Sequence, residues 1–199
     1  MNLYIATNNQ HKVDEIKAVL SSDDLNVYSA SELDGMPYVD ETENTFNGNA
    51  LLKAKALAAQ LVDPNGYVLA DDSGLMVNVL GGEPGVCSAR YAGENASDDD
   101  NCKKLLNALK SANKQSPYTA RFVCSLVMLN GKGELHACEG TSEGEIVFDA
   151  KGENGFGYDP IFKPNGFSKT MAELTPGEKN AISHRGNALK KLKQLLSGI

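Results

Sequence analysis

No apolar stretch in this 199-residue sequence approaches the ~20 residues that a membrane-spanning helix requires. The opening residues carry no basic segment ahead of an apolar one, so no secretory leader is read and a cytoplasmic protein is expected. Four cysteines, Cys87, Cys102, Cys124 and Cys138, lie far apart without a C-x-x-C pair, which argues against a zinc site and against a disulfide framework. Positive charge is not in surplus. The net value of −7 disfavours general attraction to nucleic acid or to an anionic membrane, and neither is expected as a partner. Repeats, low-complexity tracts and tryptophan are also missing. What remains, 41% hydrophobic and 23% charged, is the composition of a globular chain long enough to bury a core, and a single domain over residues 1–199 is expected.

The charge that is present is unevenly spread. From Pro160 onward six lysines and one arginine face two glutamates, a local balance of +5 that leaves −12 on the rest. An acidic body with a basic tail suits a site that holds both a divalent metal and a polyanion, although surface chance produces the same pattern.

Apolar periodicity gives a mixed α/β order of elements. "LYIAT" at 3–7 reads as a strand, and Val13, Ile16, Val19 and Leu20 recur at helical spacing from Lys12. "LNVYSA" reads as a second strand. Phe46, Ala50, Ala54, Leu57 and Leu61 mark a long helix leading through "DPNG" to a strand at 67–71, and such a crossover suggests parallel pairing. "DDSG" then reads as a turn, with "GLMVNVL" as a further strand. Ser97 and three aspartates start the next helix, "YTARFVCSLVML" and "GELHACEGTSEGEIVF" form a hairpin around "NGKG", and Thr175, Pro176 and Glu178 form a capping box. A last amphipathic helix runs from about Ser183 to Leu196.

Five stretches carry residues suited to chemistry. In "ATNNQHK" a strand ends in small polar residues and enters a helix at a lysine, so unpaired amides, the side chains of Thr7, Asn8 and Asn9, and the Lys12 ammonium could receive phosphate. A plain capped βα turn would look the same. Asp71 and Asp72 are neighbours, so strand alternation sends at most one of them to a given side; that one can meet a ligand while the other stabilises the turn at Ser73 and Gly74, and an ordinary Asx turn is the simpler account. Asp40, Glu41 and Glu43 precede a helix, where acids favour the dipole, and together with Asp72 they could hold Mg²⁺. "GENGFGYDPIF" sets glycines around Phe156 and Tyr158, whose rings could stack on a purine or simply fill a core. His184 and Arg185, with Lys179 upstream, stand at a helix start, where the dipole gives basic residues no benefit.

Taken together in their order, "ATNNQHK", "ETENTFNGNALLKA", "LADDSGL", "LGGEPGVCSARYAG", "GENGFGYDPIF" and "MAELTPGEKNAISHRGNAL" closely resemble the noncanonical purine nucleotide pyrophosphatases, the ITP/dITP/XTP hydrolases, from residue 5 to about residue 192. The bacterial branch is the more similar. The resemblance implies Mg²⁺-dependent hydrolysis of ITP, dITP and XTP to the monophosphate and pyrophosphate. It implies an elongated mixed β-sheet flanked by helices, two lobes with a central cleft, and a homodimer. By position, Thr7, Asn8, Asn9, Gln10, His11 and Lys12 match the triphosphate-binding turn, Asp72 the proton acceptor and metal ligand, and Asp40 or Glu41 the second metal ligand. Ser73 matches a substrate contact, and Phe156, Gly157, Tyr158, Asp159, Lys179, His184 and Arg185 match the residues that hold the nucleotide and its base. Three positions depart from the family pattern: Asn8 and His11 replace the glycines of T-G-N-x-G-K, and Gly48 replaces the glutamate of T-F-x-E-N-A. A nucleotide sensor without turnover and a phosphomonoesterase using Asp71 or Asp72 as nucleophile are the alternatives.

Overall fold

The parallel pairing expected from the helical crossover is present. In the computed structural model, which describes residues 1–22, 24–112 and 115–196, β1 (Asn2–Ala6) pairs in parallel with β2 (Asn26–Ser29) on one side and with β3 (Tyr67–Val77) on the other. The sheet continues through β4 (Tyr118–Asn130) and β5 (Leu135–Ile146) to β6 (Phe162–Pro164), in the order β2-β1-β3-β4-β5-β6. β5 and β6 are antiparallel, so the six-stranded sheet is mixed. Helices α1 (Gln10–Leu20), α2 (Phe46–Ala58), α3 (Asp98–Ser111), α4 (Pro176–Ile182) and α5 (His184–Leu196) flank it, as an α/β fold requires.

The chain divides into two units. The first comprises Met1–Asp72, Cys124–Gly140 and Arg185–Ile199. Its strands alternate cleanly. Leu3, Ile5 and Leu69, with Cys124, Leu126 and Met128, pack against Val13, Ile16 and Leu20 of α1 and Ala188, Leu189 and Leu192 of α5. The intervening residues Ala6, Val68, Ala70 and Val127 pack against Ala50, Ala54 and Leu57 of α2. Because successive side chains leave a strand on opposite faces, helices α1 and α5 cover one face and α2 the other.

The second unit comprises Ser73–Val123 and Thr141–His184. Its core joins Leu75 and Val77 of β3 to Ala120 and Phe122 of β4, Ile146, Ile161 and Phe162, closed over by Leu105 and Leu109 of α3 and by Met171 and Leu174.

Two expected boundaries are wrong: the strand expected over 74–80 ends at Val77, with Asn78–Leu80 in a 3-10 helix, and it does not begin at Gly74. β3 does not stop at Asp71: it runs unbroken for 11 residues through Asp71, Asp72, Ser73 and Gly74, so the two expected strands are one and there is no "DDSG" turn. A carboxylate pair in mid-strand is tolerated because each member has cations waiting on its own face.

Candidate active site

Asp71 continues the Leu69 face. Fully buried, it accepts Lys12 Nζ at 2.6 Å, Arg185 Nε at 2.7 Å and the Cys124 thiol at 3.1 Å, with Arg185 Nη2 at 3.4 Å from its other oxygen. Burial raises its proton affinity, but the Arg185 and Lys12 charges outweigh it and hold the carboxyl well below the usual carboxylate range. Arg185 also reaches Glu15 through Nη1 at 2.5 Å. Asp71 is therefore an anchor that ties α1 and α5 to β3, not the holder of a turn. Arg185, expected among the base contacts, is 1% exposed with its guanidinium set against carboxylates.

Asp72 continues the Ala70 face, toward α2. Its Oδ1 accepts Lys53 Nζ at 2.7 Å, and the same ammonium reaches Glu41 Oε1 at 2.8 Å. Asp72 Oδ2 is buried and has no hydrogen-bond partner among the described residues. Burial dominates the Asp72 carboxyl and raises its pKa, against the opposing charges of Lys53 and Lys12. Lys53 is pulled down by burial, but Asp72 and Glu41 together raise it, so it stays charged. Of the two acids left open by the sequence, Glu41 is the one that shares Lys53 with Asp72; Asp40 is exposed, and its carbonyl accepts the Thr42 amide. Asn49, buried in α2, fixes the acidic segment by accepting the Glu43 amide at 3.0 Å.

No group of three or more His, Cys, Asp or Glu residues suited to a metal stands among the described residues. Mg²⁺ does not need one, because it is commonly held by one or two carboxylates with waters and substrate phosphates completing its shell. The lone buried Oδ2 of Asp72 and the neighbouring Glu41 carboxylate fit that donor set.

The turn at Thr7–His11 is arranged by Asn9, the N-cap of α1, whose side chain accepts the Lys12 amide at 3.2 Å; Thr7 Oγ1 accepts the Asn9 amide. The amides of Asn8 and Gln10 are not used in this way. His11, at a family glycine position, lies inside the first turn of α1 and adopts ordinary helical backbone. Gly48 also has a local reason: a Cβ there would meet Glu43 Cβ at 2.7 Å.

In the second unit, Lys179 and Asp159 form a buried ion pair at 2.6 Å, and Asp159 Oδ2 also accepts the Phe156 amide at 3.0 Å. The Lys179 ammonium lies 4.8 Å from the centre of the half-buried Phe156 ring. Tyr158 behaves differently from expectation: its ring is 3% exposed in the core and its hydroxyl donates to the Ser88 carbonyl, so only Phe156 presents an aromatic surface. Gly155, at φ +76, closes the turn where a Cβ would run into Asp159. His184 is buried and stacks on Phe122 at 4.7 Å. Ser73, half-buried, follows Asp72 on β3.

Lys53, Glu15 and Asn49 are absent from the sequence reading, and Cys124 enters it only as one of four separated cysteines. Lys53 and Asn49 had a signal: they fall on the same stripe of α2 as Phe46, Ala50, Ala54 and Leu57, and a lysine on a buried stripe needs a charged partner. Cys124 and Glu15 had none, because each contributes only through contacts distant in sequence.

Comparison with known proteins gives one answer. The sequence model of the Ham1 family matches residues 3–195. A dITP/XTP pyrophosphatase of Bacillus subtilis is 48% identical over 192 residues, 96% of this chain and 95% of that protein. One of Clostridium perfringens is 46% identical over 198 residues, covering 98% and 97%. Among solved structures, a HAM1 protein from Coxiella burnetii superposes with a TM-score of 0.88 at 39% identity, covering all of both chains. The Staphylococcus aureus Ham1 protein gives 0.85 at 46% identity, covering 100% of this chain and 99% of that one. The resemblance read from the motifs is borne out.

Proposed function

This chain belongs to the Ham1 family, and from that premise we propose that it hydrolyses dITP, XTP and ITP to the nucleoside monophosphate and pyrophosphate. Its relatives, similar over nearly their whole length, are dITP/XTP pyrophosphatases. The observation that carries the assignment is Asp72: a buried carboxylate with one oxygen held by Lys53 and the other left without a partner. Lys53 orients the carboxylate, and its raised pKa equips it to take a proton from the attacking water. That water adds to the α-phosphorus, the bond to the bridging oxygen breaks, and pyrophosphate leaves. Asp72 and Glu41 would hold Mg²⁺, which when bound neutralises phosphate charge and acidifies a ligated water. The Thr7–His11 turn at the start of α1 and the Lys12 ammonium take up charge on the phosphates, with Lys12 held ready by Asp71.

Phe156, backed by Lys179 and Asp159, receives the purine face. His184 and Ser73 are assigned to the same substrate; Arg185 acts through Asp71. No helix among the described residues is long and apolar enough to cross a membrane. The proposed family reading makes the protein a cytoplasmic, Mg²⁺-dependent homodimer.

The test is incubation with dITP, ITP, XTP, ATP and GTP plus Mg²⁺, with pyrophosphate and orthophosphate measured separately. Pyrophosphate from the first three is expected. Orthophosphate alone would favour a phosphomonoesterase, and binding without product a sensor. Asp72→Asn should fold normally and lose at least ~10²-fold in kcat, as expected for removal of a general base; an unimpaired variant overturns its role.

A further inference from the structure

We propose that Asp98 is a positioning residue for purine recognition, acting by clamping the peptide at Gly157. The proposal rests on the reading of Phe156 as the surface that receives the purine.

Asp98 is the first residue of α3, and its Oδ2 accepts the Gly157 N–H at 2.6 Å. One helical turn later the Cys102 thiol donates to the Gly157 carbonyl at 3.5 Å. Both polar groups of the residue between Phe156 and Tyr158 are thus held by one helix. The other side of Phe156 is held independently, since its own amide goes to Asp159, which Lys179 anchors. Gly157 sits at φ +64, in the left-handed region, so the turn has a shape that needs holding.

Helix capping does not account for Asp98. Ser97 and Asp100 complete the capping box of α3 by themselves, and Asp99 pairs with Lys103 on the surface. Of the three first-turn acids, only Asp98 reaches out of its helix. A recess of about 280 Å³, lined by Asp98, Cys102, Glu153, Phe156 and Gly157 among others, lies beside the turn, so packing does not fully back it there. The short charge-assisted bond has to supply that restraint.

The test uses the full-length protein and steady-state pyrophosphate release from dITP. Asp98→Ala is expected to raise KM about fivefold while kcat stays within about twofold, the pattern of lost uniform binding. Asp98→Asn retains an acceptor oxygen and should stay within about twofold of the unmodified protein. Asp98→Ser, which suits a helix start but cannot span the gap, should share the KM rise and decides the matter should the alanine variant not fold. Asp99→Ala should change neither constant, and Phe156→Ala should raise KM at least as much as Asp98→Ala. A KM for Asp98→Ala equal to that of Asp99→Ala, beside a raised KM for Phe156→Ala, overturns the clamp while the reading of Phe156 survives. An unchanged KM for Phe156→Ala overturns that reading and the clamp with it.

Discussion

Asp71 and Asp72 are covalent neighbours with opposite electrostatic fates. Strand alternation turns one toward Arg185 and Lys12 and the other toward Lys53 and Glu41, and the number of cations each meets decides its proton affinity. Asp71 is saturated by its partners; Asp72 keeps, among the described residues, one buried oxygen without a hydrogen-bond partner, on which the proposed chemistry rests. Replacing Asp71 by Asn leaves two cations beside a neutral group. It is expected to cost ~3–5 kcal/mol in urea denaturation, the scale for breaking a buried ion pair by removing one partner. A loss below ~1 kcal/mol would mean that the Arg185 pairing stabilises little. The sequence made the acidic pair visible and predicted that its members face opposite sides, but the turn it assigned to Asp71 is not there. It did not reveal the partners, which come from helices on both sides.

Local signals placed the elements well wherever the deciding contacts span three or four residues. Thr175 with Glu178 forms the expected capping box, Ser97 caps α3 as expected and also closes a box with Asp100, and Thr45 caps α2 through the Gly48 amide. A third box, at the 3-10 helix Ala30–Glu32, was not read from the sequence; Glu32 there accepts the Ser29 amide, and with Lys17 and the Ser29 hydroxyl this lowers its pKa to about 2. A depressed folded-state pKa contributes stability that is complete above the unfolded value of ~4.3 and is lost as pH falls toward the folded one. Glu32→Gln should therefore melt below the unmodified protein near neutral pH, with the gap closing between about pH 4.3 and pH 2. A gap independent of pH would remove the ionic origin of this cap. The break wrongly expected at Asp72–Gly74 shows where local reading fails: Asp, Ser and Gly are turn formers on average, and only ladder pairing with neighbouring strands keeps them extended in β3.

Across the whole molecule, stability rests on apolar burial within each unit, not on surface charge. Leu57 in the first unit and Leu105 in the second are both fully buried, and truncating either to Ala should cost ~2–5 kcal/mol by urea denaturation. Lys103→Ala, which removes an exposed pair with Asp99, should shift the urea midpoint far less than either. Equal losses for the three variants would contradict this ordering. By itself the sequence determined the class of fold, the main helices, the caps at Ser97 and Thr175 and the family, because periodicity, turn chemistry and motif order are written along the chain. Only the tertiary structure decided that β3 is continuous, that Lys53 and not Asp40 joins Glu41 and Asp72, that Tyr158 is core, and that Arg185 serves Asp71 across 114 residues of sequence. The physical reason is that a buried charge takes its role from its nearest counter-charge, and nearness among distant residues is set by strand pairing and helix packing rather than by position along the chain.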